Sequence, residues 1–378
     1  MRFVITSGGT AGHIYPALAV AQELIATGHE VLFAGTPQGQ EAHLIPAEGI
    51  PYKAFDATGF NRSKISSMPS FFWRTATSTN LAKEWLKEIQ PAAVAGFGGF
   101  ASVPVCRAAL QSRIPVLIHE QNSRAGWANR FLARSKVAAV ALTYEDARAQ
   151  LTFSNKTLVE LTGNPVRYSL IKLAEPAARA TARAAFRSVY GIPADALVLM
   201  VFGGSQGARS INDAVLAQAA TLLARDNLHV LHITGPKQYT VVNAQLTQTL
   251  DPVLAQRWHL IDYCTQMGEA YVAADLILSR AGASSLAEIA VLGVPALLVP
   301  FPYATDDHQT ANARSLVQAG AARYISDADL SKPVFIQLLD LLLGDADIRA
   351  SMAVAAQAGE ASLATERVTK LLKQIANK

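Results

Sequence analysis

Ser7-Gly8-Gly9-Thr10-Ala11-Gly12-His13 is the stretch from which the fold of this chain can be read. The apolar run Arg2-Phe3-Val4-Ile5-Thr6 before it has the make-up of a strand, and residues 14–21 after it that of a helix. A glycine-rich turn at such a junction lets bare backbone N–H groups approach an anion or a substrate. His13 closes the turn and adds a side chain able to move a proton. Gly203-Gly204-Ser205-Gln206-Gly207-Ala208 repeats the same context in the second half, after the apolar run 197–202. Two such turns at corresponding places suggest two similar halves.

Working outward, strands are expected at 30–34, 51–55, 92–95, 115–118, 137–142 and 157–161, then at 197–202, 229–234, 258–261, 276–279 and 296–299. Helical stretches alternate with them, including one over 211–223. That alternation predicts an α/β fold with two parallel sheets and right-handed crossovers. A dinucleotide site would want an acidic residue at the end of the second strand. That strand ends Phe33-Ala34-Gly35-Thr36, and the first turn lacks G-x-G-x-x-G spacing, so an oxidoreductase is disfavoured. A third glycine turn runs over 96–102, and His119-Glu120-Gln121-Asn122 closes an apolar strand where open α/β sheets place ligands. Gly163-Asn164-Pro165-Val166-Arg167 has boundary chemistry. The expected organisation is a first domain over 1–165, a second over 166–359, and an amphipathic helix within 360–378 returning toward the first.

The 378 residues are 51% hydrophobic and 16% charged, which excludes a disordered chain. A net charge of +4 favours anionic partners such as phosphates, nucleotides or an acidic membrane face. Without a Lys/Arg block, nucleic acid is not expected. Cys106 and Cys264 match no metal or redox spacing. With a strand from residue 2, no signal peptide is expected, and no apolar run reaches the ~20 residues of a membrane span. Between 60 and 87, Phe60, Ile65, Phe71, Phe72, Trp73, Leu81, Trp85 and Leu86 interleave with Arg62, Lys64, Arg74, Lys83 and Lys87. Two readings stay open: a face that dips into lipid headgroups, or the core of a helix-rich insertion.

Together, Gly8 to His13, His119 to Asn122, Gly163 to Arg167, Gly203 to Ala208 and Asp307-His308-Gln309 resemble the peptidoglycan N-acetylglucosaminyltransferases, which convert lipid I to lipid II. The resemblance covers essentially the whole chain. It implies a GT-B architecture, two Rossmann-like domains with parallel sheets facing a central cleft. The first domain would take the acceptor and the membrane, the second UDP-GlcNAc. The implied reaction is an inverting transfer of GlcNAc to the muramyl O4 of an undecaprenyl-pyrophosphate-linked acceptor. It also implies a peripheral protein on the cytoplasmic face of the cell membrane, with cell-wall synthesis proteins as further partners.

Carried over residue by residue, Thr10, Ala11, Gly12 and Asn122 would approach the donor, and Arg167 and Ser205 would contact its UDP part. Cys264 falls at a backbone contact to uracil. Ala283, Ser284, Ser285, Leu286, Ala287 and Glu288 match the diphosphate and ribose cradle, with Glu288 on the ribose and Gln309 on the sugar. Two positions depart from the pattern: Ala11 stands where glycine is commoner, and Phe100 where tyrosine is. His13 is the candidate base and Glu120 the alternative. No Asp-x-Asp motif points to a protein-held metal, and Mg²⁺ remains only as a diphosphate counter-ion. The competing readings are another GT-B UDP-sugar transferase, a UDP-sugar epimerase, and a nucleotide-sugar-binding module without turnover.

Overall fold

The computed structural model describes residues 1–57, 68–357, 359 and 361–378, and the side chains of all of these except 68–72 and 305. The chain divides into two compact units. Unit 1 is Met1–Tyr168 with Glu360–Lys378, and unit 2 is Ser169–Gly359.

Unit 1 holds a seven-stranded parallel sheet. Its strands are β1 (Arg2–Thr6), β2 (Glu30–Gly35), β3 (Tyr52–Ala54), β4 (Ala93–Gly96), β5 (Val116–Glu120), β6 (Ala139–Leu142) and β7 (Leu158–Leu161), in the order β3-β2-β1-β4-β5-β6-β7. The central strands are buried throughout apart from Arg2 at the start of β1, as near-continuous apolar runs covered on both faces should be. Alternate residues serve opposite cores: Phe3 and Ile5 pack in one apolar cluster and Val4 in the other. The last helix, Ala364–Ala376, places Val368, Leu371, Leu372 and Ile375 in the first of these clusters. Their three- and four-residue spacing makes one helix face apolar. Full burial of each is worth about 1.5–3 kcal/mol, enough to fix this segment in the core of unit 1.

The junction between the units falls after Tyr168, slightly beyond the 165/166 position expected from turn chemistry. Val166 explains the difference: its N–H donates to the Thr365 hydroxyl (3.1 Å), which donates back to the Val166 carbonyl (2.8 Å). Arg167, assigned by the sequence to the second domain, lies 4.5 Å from the centre of the Tyr15 ring in unit 1.

Unit 2 holds six parallel strands: β8 (Leu197–Phe202), β9 (Leu228–Ile233), β10 (Trp258–Ile261), β11 (Leu276–Ser279), β12 (Ala296–Leu298) and β13 (Ala322–Tyr324), in the order β10-β9-β8-β11-β12-β13. The expected helix over 211–223 is two helices, Arg209–Ala217 and Ala219–Leu223, separated at Gln218, whose φ and ψ of −106° and 9° leave the helical region.

Both sheets reverse their strand order beside the first strand of the unit, between β1 and β4 and between β8 and β11. Such switch points open a crevice at the carboxyl ends of the strands. The turns after β1, β4 and β8 are the glycine-rich segments singled out in the sequence, and the turn after β11 leads into the segment 283–288.

Candidate active site

In unit 1, Thr10 precedes the helix Ala11–Ala26, so Ala11, Gly12 and His13 are its opening residues. Ala11 is not among the residues with positive φ, so its methyl group is accommodated without left-handed strain. The Thr10 hydroxyl and His13 Nδ1 are 3.0 Å apart. The ring of His13 faces Gly98 in the turn after β4, where a β-carbon would stand 3.0 Å from its Cδ2. Gly99 is held still more tightly: a β-carbon there would be 2.2 Å from the Gly8 carbonyl oxygen. The two turns therefore interlock, and the glycines are required by contact as well as by backbone angle.

Behind them, the polar end of β5 is largely committed. Glu120 is 2% exposed and accepts four hydrogen bonds: from the Asn122 N–H (3.0 Å) and side-chain amide (3.3 Å), the Gly126 N–H (2.9 Å) and the Asn129 amide (2.9 Å). Burial pushes its carboxyl upward while those bonds pull the other way. Such a carboxylate shapes the 121–129 loop, including Asn122. His119 donates through Nε2 to the Gly163 carbonyl (3.0 Å), and burial first, then the nearby His13, drive its pKa down to about 4 against that bond. The Gln121 amide donates to the Phe97 carbonyl at 2.8 Å. Phe100, where a tyrosine was the commoner expectation, stacks on Trp127 (5.6 Å).

In unit 2, Gly207 has a φ of +73°, and a β-carbon on it would lie 2.0 Å from the Thr234 carbonyl oxygen. Ser205, in the same turn, is exposed. Ala283, Ser284 and Ser285 form the first turn of the helix Ala283–Leu292. The N–H groups at the start of a helix point along its axis and, with the helix dipole, favour an anion. One turn on, Glu288 accepts a hydrogen bond from the buried Tyr271 hydroxyl at 3.0 Å; Leu286 is buried in the core beside it. Gln309 Oε1 accepts from the N–H groups of Ala281 (3.2 Å) and Phe301 (3.0 Å). Just before it, Asp306 and Asp307 both have φ of +54°, a conformation that costs non-glycine residues about 1–2 kcal/mol each and that clusters at functional loops. Cys264 is half-buried and unpaired; burial raises its thiol pKa, opposed by the bond with the Gln266 backbone.

Four contributors escaped the sequence reading. Tyr271 orients Glu288, Tyr15 lies under Arg167, and Glu41 is buried beneath the first turn. Arg280 ties the turn after β11 to Asp327, to the Ser210 hydroxyl (2.8 Å) and to the Val299 carbonyl (3.2 Å). Among the described residues, no three His, Cys, Asp or Glu side chains are grouped to hold a metal ion.

In the aromatic and basic stretch, Trp85 packs on Phe55 (5.5 Å) and Leu86 is buried, whereas Trp73 and Leu81 are 70% and 54% exposed. Phe60, Arg62, Lys64 and Ile65, and the side chains of Phe71 and Phe72, lie outside the described residues. Among the described residues, no helix is long and apolar enough to cross a membrane.

Two Rossmann-like units, each with glycine turns at the switch point of a parallel sheet, define the GT-B class of glycosyltransferases. The chain belongs to glycosyltransferase family 28: residues 3–141 match its N-terminal domain and residues 198–372 its C-terminal domain. It is 38% identical, over 91% of both chains, to a Halothermothrix orenii protein named UDP-N-acetylglucosamine–N-acetylmuramyl-(pentapeptide) pyrophosphoryl-undecaprenol N-acetylglucosamine transferase. Among solved structures, MurG of Acinetobacter baumannii is 29% identical with a TM-score of 0.73, covering 99% of each chain. A Neisseria meningitidis UDP-GlcNAc 2-epimerase bound to UDP-GlcNAc, at 17% identity and a TM-score of 0.65 over 99% of this chain and 100% of its own, shares the fold.

Proposed function

We infer that this chain transfers GlcNAc from UDP-GlcNAc to the muramyl O4 of undecaprenyl-pyrophosphoryl-MurNAc-pentapeptide, turning lipid I into lipid II with inversion at the sugar C1. The near-full-length identity to a transferase of that name carries the reading. Unit 2 takes the donor. The diphosphate meets the N–H groups of Ser284 and Ser285 and the Gly203–Ala208 turn, and Ser205 contacts the UDP part. Glu288, oriented by Tyr271, accepts from the ribose hydroxyls. Gln309, its oxygen already held by two backbone N–H groups, presents its amide NH₂ to the GlcNAc ring, and the Cys264 backbone pairs with uracil.

Unit 1 takes the acceptor. With Nδ1 donating to the Thr10 hydroxyl, His13 keeps its lone pair on Nε2. That nitrogen removes the O4 proton as O4 attacks C1. The C1–O bond to the β-phosphate breaks, its electron pair leaves on UDP, and the imidazolium returns its proton to water. Thr10, Ala11, Gly12 and Asn122 shape the space around the reacting sugar. A positioned base supplies about 10²–10⁴-fold, and preorganised N–H groups facing the departing phosphate supply the larger electrostatic share.

Glu120, saturated by four donors, has no role as base in this scheme. The exposed Trp73 and Leu81, on a helix also carrying Lys83 and Lys87, support attachment to the anionic cytoplasmic face of the membrane, where the acceptor and the other cell-wall enzymes would be met. The test is transfer of labelled GlcNAc from UDP-GlcNAc to a lipid I analogue, with other UDP-sugars as controls. A labelled disaccharide product is expected from UDP-GlcNAc alone. Acceptor-independent conversion of UDP-GlcNAc to its 2-epimer would replace this reading with the epimerase.

A further inference from the structure

The two glycine turns hold equivalent places in their sheets, yet different groups lie beneath them. On Gly203 in unit 2 an added β-carbon would meet the turn's own Ala208, 2.2 Å from its backbone nitrogen. Beneath Gly8 and Gly9 in unit 1 lies the carboxylate of Glu41, which is 0% exposed. Its Oε1 accepts from the Thr36 N–H (3.0 Å) and hydroxyl (2.7 Å), and its Oε2 accepts from the Gly9 N–H at 3.4 Å. The Tyr52 hydroxyl closes the arrangement by donating to the Thr36 carbonyl at 2.6 Å.

Three glycines make room for this carboxylate. A β-carbon on Gly8 would stand 2.3 Å from Glu41 Oε1, one on Gly39 2.2 Å from the same atom, and one on Gly35 2.6 Å from Glu41 Cγ. A buried carboxylate is costly unless donors surround it, so the turn and the acid fix each other's place. Gly8 is gripped from the other side as well, since its carbonyl oxygen abuts Gly99. Two residues later the chain reaches Thr10, whose hydroxyl contacts His13.

We propose that Glu41 is a positioning residue for the transfer: its buried carboxylate, packed against Gly8 and bonded to the Gly9 N–H, holds the first turn in place and so fixes the approach of His13 to the acceptor hydroxyl. The proposal rests on His13 acting as the base.

The test compares Glu41→Gln, Glu41→Ala and His13→Ala in the full chain. Glu41→Gln keeps the shape but replaces an acceptor oxygen with a donor, and Glu41→Ala removes the carboxylate. The readouts are kcat and KM with UDP-GlcNAc and a lipid I analogue, with and without sodium formate, and amide hydrogen exchange over residues 7–13. Misplacement of a catalytic group by about 1 Å costs about 10²-fold, so both Glu41 variants should lose about 10–100-fold in kcat while the donor KM stays within about twofold. Exchange over 7–13 should quicken in both. Formate should restore part of kcat in Glu41→Ala and none in His13→Ala.

A kcat within about twofold of the parent in Glu41→Gln, on the same scale, would overturn the proposal. So would lost kcat with unchanged exchange over 7–13. Should Glu41→Ala not fold, the same two readouts on Glu41→Gln decide. Full activity in His13→Ala beside impaired, fast-exchanging Glu41 variants would overturn the base role alone.

Discussion

Replacing Gly98 with alanine would put a methyl group 3.0 Å from His13 Cδ2 and 3.3 Å from Nε2. Carbon atoms rest at about 3.5–4.0 Å, so the imidazole must retreat by roughly half an ångström. The backbone at Gly98 has a φ of +80°, which adds about 1–2 kcal/mol of strain for alanine. Gly28 provides a matched control: its φ is +79°, and an added β-carbon there meets nothing within 4 Å. Both variants should therefore melt lower by about 2–8 °C, at 2–4 °C per kcal/mol for a unit of this size. Only Gly98→Ala should lose activity, by about tenfold in kcat with the donor KM unchanged, since a shift of about 1 Å costs about 10²-fold. The assay is steady-state transfer to a lipid I analogue beside thermal unfolding of both variants. Equal kcat in the two, or a loss in Gly98→Ala confined to the donor KM, would refute the placement of His13 as the reacting group.

Tyr271→Phe removes the hydroxyl that orients Glu288 and should raise the donor KM several-fold, and Glu288→Ala should raise it by about tenfold, the worth of one good hydrogen bond. A parental KM in both would remove Glu288 from the ribose. His119, held near pKa 4 mainly by burial, is protonated more readily in the unfolded chain, whose histidines titrate near 6.5. Its contribution to stability is therefore complete above that pH and is lost as pH falls toward 4, by up to about 1.4 kcal/mol per unit. His119→Gln should flatten the fall in melting temperature over that window, and an unchanged slope would contradict the assignment. Replacing Trp73 and Leu81 together with serine should abolish flotation with anionic vesicles while leaving melting unchanged; retained flotation would remove this face from membrane attachment.

The glycine turns were legible because they join strongly apolar strands to helices, a local pattern that needs no distant partner. Glu288, on the first turns of a helix opened by Gly282, was named only through the family resemblance. Other parts of the fold and site were hidden for identifiable reasons. The strand β13 is only three residues, two of them exposed, so it carries no alternation to read. Helices Tyr239–Thr249, Pro333–Gly344 and Ala346–Gln357 lie where no site motif draws the eye. Arg280 is explained by Asp327 and Ser210, partners far along the chain that only the folded sheet brings together.

Glu41 is the most informative miss. A ribose-binding acid belongs at the end of β2, which ends instead at Gly35. The acid arrives six residues later, from the start of the short helix Glu41–Ala47, and turns inward under Gly9. Sequence spacing could exclude a ribose-binding carboxylate on the strand, but it could not show that another carboxylate folds back beneath the turn.

The central claim is that unit 1 supplies the base and unit 2 the donor site, so catalysis and donor affinity separate. Single-turnover transfer by His13→Ala, at saturating UDP-GlcNAc and lipid I analogue, tests it most directly. The account predicts a fall of about 10²–10⁴-fold in the transfer rate, with UDP-GlcNAc bound as tightly as by the parent. A parental transfer rate, or a loss explained wholly by weaker donor binding, would contradict it.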